Sequence, residues 1–290
     1  MRTDGTFKTK HVSLPEWKSG ERLVLIPFGD IHRDSPGFSD DAWDKFLTRC
    51  RTLIRQKQKV LFLGMGDYLD SYSTSERVIM YSSGLHESST KNHAIEAKRK
   101  VEALAREIEF MRGRMIGFMG GNHFPMLEGR ISGDQHLAAM LGTDYLGACC
   151  AMRISFGVHR SSCISFDIFA HHGKGGGTTA AGKFNAVEKL QSVCDADIFL
   201  MGDNHARGCF PAGEKLRLRE TGGKLYVKSK PTWIGRTGSF LRAYVEDEPS
   251  YVVDAALSPA NLGHVEFNIT PRRVRTGGID ILELEIGATQ

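Results

Sequence analysis

Nowhere does the sequence carry an apolar run approaching the ~20 residues that a membrane-spanning helix needs. The first twenty-one residues, MRTDGTFKTKHVSLPEWKSGE, lack the apolar core of a signal peptide, so a cytoplasmic location is expected. Cysteine is scarce: six residues, no CxxC pair, and an adjacent Cys149-Cys150 that cannot grip one zinc in the usual CxxC geometry. That argues against a disulfide framework and for reduced cysteines in the core. An excess of one charge is also missing, since 38 Lys and Arg stand against 34 Asp and Glu for a net +4. So mild a balance does not by itself imply a nucleic-acid partner. There is no internal repeat and no low-complexity tract. What is present is globular: 41% hydrophobic and 25% charged residues exclude whole-chain disorder, collagen and coiled coil. At 290 residues the chain can bury a large core without staples.

The first half alternates short apolar runs with helical patterns. RLVLIPF (22–28), KVLFLG (59–64) and MIGFM (115–119) read as buried strands. Between them a helix is expected over Ser39 to Gln56, capped by Ser39 and opened by Asp40 and Asp41. A second is expected over Ala94 to Arg114, with Ala97, Val101, Leu104, Ile108 and Met111 on one face. This rhythm predicts a mostly parallel sheet packed by helices. Paired strands at 148–156 and 163–170, a helix at 180–193, a strand at 197–201 and a hairpin at 215–228 follow, so a second, β-rich sheet is expected. The polar, Ser-rich stretch 71–92 reads as a loop.

The informative residues stand where the strands end. The first run closes on Gly29-Asp30-Ile31-His32 and the second on Gly66-Asp67-Tyr68-Leu69-Asp70. The third closes on Gly120-Gly121-Asn122-His123, the fourth on His171-His172-Gly173 and the fifth on Gly202-Asp203-Asn204-His205. The C-terminal edge of an α/β sheet is where ligands bind. Asp, Asn and His are ligands for borderline-hard divalent metals. Five strand ends supply more ligands than one tetrahedral ion needs, whereas two ions sharing a carboxylate would use them and could clamp a phosphoryl oxygen. Taken singly, Asp30 and Asp67 are ordinary helix caps and each histidine an ordinary sheet-edge residue; only their joint order says otherwise.

In that order, DIH, GDYLD, GNH, HHG and GDNH resemble the calcineurin-like metallophosphoesterases over about residues 22–206. Within the family the chain is similar to phage- or prophage-encoded members. The resemblance implies an α/β fold, a four-layer α/β/β/α sandwich of two mixed sheets flanked by helices. It places residues 22–290 in one such domain after an extension at 1–21, with a β-rich part from about 207. It implies that Asp30, His32 and His205 bind a first metal, that Asp67 bridges, and that Asn122 and one of His171 and His172 bind a second. His123 would act on the phosphate or the leaving oxygen, and Asp70 would orient a ligand. The family has GHxH where this chain has Gly202-Asp203-Asn204-His205, so Asp203 stands in for a histidine ligand. A carboxylate there makes the site harder and more anionic. That favours manganese, with magnesium and iron next and zinc or nickel as alternatives; a weak second metal is the rival outcome.

The implied activity is hydrolysis of a phosphoester by a metal-activated hydroxide. The stretch 206–242 holds nine basic against two acidic residues, and Phe210, Trp233 and Phe240 lie among them. In the hairpin, Leu216, Leu218, Leu225 and Val227 alternate with Lys215, Arg217, Lys224 and Lys228. Basic groups with aromatics suit a nucleic-acid backbone, so a phosphodiester of DNA, RNA or a nucleotide is the expected substrate. The plain alternative for this hairpin is the solvated side of a half-buried sheet. Lys174, in GKGGG, and Arg236 are the candidate phosphate contacts. The alternatives are a phosphomonoesterase or protein phosphatase, and a catalytically lapsed nucleic-acid-binding module.

Overall fold

The computed structural model describes residues 8–71, 78, 87–159, 162–173, 177, 179–221, 223–246, 253, 258–259, 261–276 and 279–290. Among these described residues, twelve strands form two six-stranded mixed sheets. One sheet holds β2 (Leu23–Phe28), β3 (Lys59–Gly64), β4 (Met115–Met119) and β5 (Tyr145–Gly147), all parallel. The antiparallel hairpin β11 (Glu266–Thr276) and β12 (Ile279–Thr289) extends it beside β2. The other sheet runs, in spatial order, through β1 (Lys8–Leu14), β6 (Cys149–His159), β7 (Ser162–His171), β8 (Ile198–Met201), β10 (Lys224–Thr237) and β9 (Arg207–Thr221).

The period-two alternation of the strands builds the layers. In β2 and β3, Leu23, Leu25, Leu61 and Leu63 face inward onto Ile154, Phe166, Ile168 and Leu200 of the opposite sheet. Their neighbours Val24, Ile26, Phe28 and Phe62 face outward onto helices. Those helices are α1 (Asp40–Arg55), α2 (Glu87–Glu107) and α3 (Gly133–Met140). The outer face of the second sheet buries Phe169, Phe199 and Ile234 under Val187 of α4 (Ala180–Glu188) and the following Leu190. Helices, sheet, sheet and helix make the expected α/β/β/α sandwich.

Ser39 caps α1 as expected, its hydroxyl accepting the Ala42 amide. The second helix lies earlier than its apolar periodicity predicts: it starts at Glu87, inside the stretch read as a loop, and stops at Glu107 before a 3₁₀ turn at Glu109–Met111. Its first turns, ESSTKN, carry no apolar residue to announce them. Positions 72–77 and 79–86 of that stretch lie outside the described residues. The helix expected to reach 193 ends at Glu188 and passes into a 3₁₀ turn, Lys189–Ser192. Residues 8–14, set apart as an extension, pair in parallel with Cys150–Phe156 and form an edge of the second sheet.

The hairpin is longer than its pattern indicates, and its faces are reversed. β10 runs parallel to β8, with Trp233 beside Ile198 and Arg236 beside Met201. Its closed end therefore projects beyond the N-terminal end of β8. There Leu216, Leu218, Leu225 and Val227 are 59–76% exposed. The basic face is the one that folds back onto the body: Lys215 and Arg217 pair with Asp195 at 3.2 and 3.1 Å, and Lys230 with Asp197 at 2.5 Å. The alternation marks two faces but not which of them has something to pack against.

Candidate metal centre

Strands β2, β3 and β4 end at one pole of the first sheet, and β7 and β8 bring their ends to the same pole of the second. Each end turns at once into a polar loop. The loops after β2 and β3 run side by side, the Asp30 amide donating to the Gly66 carbonyl and those of Ile31 and His32 to the Asp67 carbonyl. The turn after β8 is pinned across the seam, where the Asp203 amide donates to both oxygens of Asp30 at 3.0 and 2.9 Å. Such tight reversals leave five non-glycine residues in the left-handed region: Asp30, His32, Asp67, Asp203 and His205, with φ from 47° to 67°.

Three groups of ligand-type side chains result; one, His32 with Asp70 and His123, lies toward the rim, and the other two make the centre. Asp30, His32 and His205 each offer an atom, all within 4.8 Å of one another; Asp30, Asp67 and His172 do the same. Asp30 belongs to both groups. Asp67 also reaches both, its Oδ2 standing 3.3 Å from His172 Nε2 and 3.9 Å from His32 Nε2. Asn122 Oδ1 lies 3.1 Å and Asp203 Oδ1 3.8 Å from the same His172 Nε2.

Neighbouring groups set the orientation of the two histidines. His172 Nδ1 donates to the Met65 carbonyl at 2.7 Å, which leaves Nε2 toward the cluster. His32 Nδ1 meets Asp70 Oδ1 at 3.2 Å, and its Nε2 is buried without a hydrogen-bond partner. A buried ring nitrogen flanked by carboxylates and left unsatisfied is a position suited to metal ligation. The donor set of imidazole, carboxylate and amide oxygen fits a borderline-hard divalent ion.

The carboxylates and imidazoles of the cluster perturb one another strongly. Burial, reinforced by Asp67 and Asp203, pushes the Asp30 carboxyl up to about 7 against the pull of His172 and His32. Burial also raises Asp203. Asp67 goes the other way: burial opposes its ionisation, but His172, His32 and the His123 amide hold it well below the usual carboxylate range. Burial opposes the charge on His172 too, yet Asp67 and Asp30 lift it to about 10. Burial and the neighbouring His32 depress His205 to about 3, which keeps that imidazole neutral and able to ligate.

His171 does not join the cluster; its Nδ1 accepts the Gly173 amide at 2.8 Å. Of the two histidines left open by the sequence, His172 is the one at the centre. His123 sits at the rim, 29% exposed, with Nδ1 3.1 Å from the Ser71 carbonyl and 3.6 Å from Asp70. Lys174 lies outside the described residues. Arg236, expected to face a phosphate, is instead only 1% exposed, and donates to the carbonyls of Lys183 at 2.8 Å and Gly202 at 2.5 Å. Its place at the end of β10, beside Met201, sets it beneath the site rather than over it.

Four supporting residues carry no signal in the sequence. Asp134, in the first turn of α3, accepts the Gly121 amide at 2.9 Å and so fixes the loop bearing Asn122 and His123. Asp34 accepts the Asp70 amide at 2.5 Å. The Ser239 hydroxyl and the Phe240 amide both donate to the Asp30 carbonyl.

No helix among the described residues is long and apolar enough to cross a membrane. No protein-family model matches the chain, and no curated protein matches it. Among solved structures it is similar to Vacuolar Protein Sorting 29 from Cryptosporidium parvum, at 14% identity and a TM-score of 0.34 over 93% of this chain and 100% of that one.

Proposed function

We propose that the chain is a metal-dependent phosphodiesterase. The observation that carries this reading is the buried, unpartnered Nε2 of His32, set among Asp30, His205 and Asp67. Asp30, His32 and His205 would hold one divalent cation, with Asp67 shared and Asn122, His172 and Asp203 completing a second position. Cations so placed polarise a phosphoryl oxygen and bring the pKa of a water near neutrality.

The rest is done by the chain itself. Asp70 fixes the His32 ring through Nδ1 and keeps Nε2 inward. His172 is fixed likewise by the Met65 carbonyl. His123, steadied by its Nδ1 contact with Ser71, keeps Nε2 for the leaving oxygen, to which it delivers a proton. Asp67 is held ionised, and its Oδ1 accepts the His123 amide at 2.8 Å, so the loop bearing the acid is registered on the Asp67 carboxylate.

Asp203 supports the choice of a diester. Three carboxylates, Asp30, Asp67 and Asp203, leave less positive charge for substrate than two carboxylates and a fourth imidazole would. A monoanionic diester tolerates that better than a dianionic monoester. Lys215, Arg217 and Lys230 of the hairpin are paired with Asp195 and Asp197 and lie at the opposite pole, so a polymeric substrate draws no support from them.

The test is turnover of bis-p-nitrophenyl phosphate against p-nitrophenyl phosphate with Mn²⁺. Faster diester hydrolysis, abolished in Asp67→Asn and His205→Ala proteins that stay folded, is expected. Monoester preference would make it a phosphomonoesterase, and no turnover with either ester would remove the enzyme reading. A steep salt dependence of DNA or RNA binding would bring back a nucleic-acid substrate.

A further inference from the structure

Arg236 is a buried cation without an ion-pair partner among the described residues. Its side chain is 1% exposed, and its donors go to two neutral groups, the carbonyls of Lys183 and Gly202. Among the described residues no carboxylate lies within ion-pair distance of it. An isolated buried charge is costly unless opposite charge compensates it. The negative charges acting on this guanidinium are Asp30 and Asp203, both members of the candidate metal centre. The path is short: Gly202 immediately precedes Asp203, and the Asp203 amide donates to Asp30. The arginine thus underlies the most carboxylate-rich corner of the site, one peptide unit from its turn.

A fixed positive charge there has two consequences of opposite sign. In the metal-free protein it offsets the repulsion among Asp30, Asp67 and Asp203. Towards an incoming divalent cation it is a like charge that cannot move away. Building on the metal-centre reading, we infer that Arg236 is a resident counter-cation: it stabilises the metal-free site and weakens the divalent cation held on the Asp203 side. The two metal positions are therefore unequal by construction. Asp30 feels that charge in both positions, whereas Asp203, whose preceding carbonyl Arg236 holds, adds to it only in the second, which is therefore the one that fills last.

Calorimetric titration of the chelator-treated chain with MnCl₂ tests this, alongside thermal unfolding of the metal-free protein. Arg236→Gln retains a donor for the Gly202 carbonyl and removes the charge. It should tighten the weaker Mn²⁺ site about tenfold while lowering the metal-free Tm. Arg236→Lys retains the charge and loses the planar fork, and should leave the Mn²⁺ affinity near that of the wild type. Unchanged or weaker Mn²⁺ binding in Arg236→Gln would overturn the inference and reduce Arg236 to an anchor for two carbonyls. Should the glutamine variant fail to fold, the lysine variant decides: affinity kept supports the role of charge, affinity lost overturns it. A wild type that binds no Mn²⁺ would overturn the metal reading as well, whereas binding by the wild type with no tightening in Arg236→Gln removes only the inference about Arg236.

Discussion

Asp30, His32, Asp67, Asp203 and His205 make up five of the seven non-glycine residues described at positive φ. Each such residue stores about 1 kcal/mol or more, and strain of this kind persists where the surroundings over-determine it. Here the surroundings are backbone. Gly121 shows how little room is left: a Cβ at that position would overlap the Asp67 carboxylate and the Asp67 amide. Gly121→Ala should therefore destabilise the fold by about 1–3 kcal/mol and cost more than tenfold in Mn²⁺ affinity, read by denaturant unfolding and by calorimetry. The residues of the cluster were legible in the sequence because Asp, Asn and His stand beside glycine at five strand ends. Which histidine of the 171–172 pair turns inward was not, since that depends on where β7 stops. Nor was the burial of Arg236, because a basic residue in a basic stretch looks the same whether it faces solvent or a carbonyl. Asp134 had no signal of its own, although the Ser132–Gln135 capping box that places it is a readable one.

At the scale of elements, α1 is tied to β11, which lies between β12 and β2 in the first sheet. Arg49 meets Glu266 with two parallel bonds, Nε to Oε1 and Nη2 to Oε2, both 2.9 Å, and His264 Nε2 adds a third contact at 3.1 Å. Burial opposes ionisation of Glu266, but Arg49 and His264 outweigh it and bring the carboxyl down to about 2. A depressed folded-state pKa stabilises above the unfolded value near 4.5 and stops doing so as pH falls through about 2. Glu266→Gln should accordingly cost about 1–2 kcal/mol at pH 7, an amount already discounted for the half-exposed Arg49. Its unfolding free energy should converge on that of the wild type between pH 4.5 and pH 2. The central strands β2, β3 and β4 were legible because they are buried on both faces and read as unbroken apolar runs. The edge strands β1 and β12 were not, since KTKHVSL and IDILELEIGAT mix charge with apolar residues, although the Gly277-Gly278 ahead of β12 is a readable turn signal.

The whole molecule has two unlike poles. At one, the polar side chains of the candidate centre converge; at the other, the β9–β10 hairpin exposes Leu218 and Val227, paired across its strands. Because both are already 59–65% exposed, Leu218→Ser with Val227→Ser should change the unfolding free energy by less than about 0.5 kcal/mol and leave Mn²⁺ affinity untouched, as equilibrium unfolding and calorimetry would register. The site itself straddles a join. Asp30, His32, Asp67 and Asn122 follow strands of one sheet, while His172, Asp203 and His205 follow strands of the other. An ion bound there would rivet the two slabs of the sandwich, and with them the first and second halves of the chain. Saturating Mn²⁺ at a hundred times its Kd should add about 2.7 kcal/mol to the unfolding free energy, and EDTA should remove it. For this protein, then, scavenging the metal would do what reduction does to a disulfide-bonded one: release a fastening that had held opposite sides together.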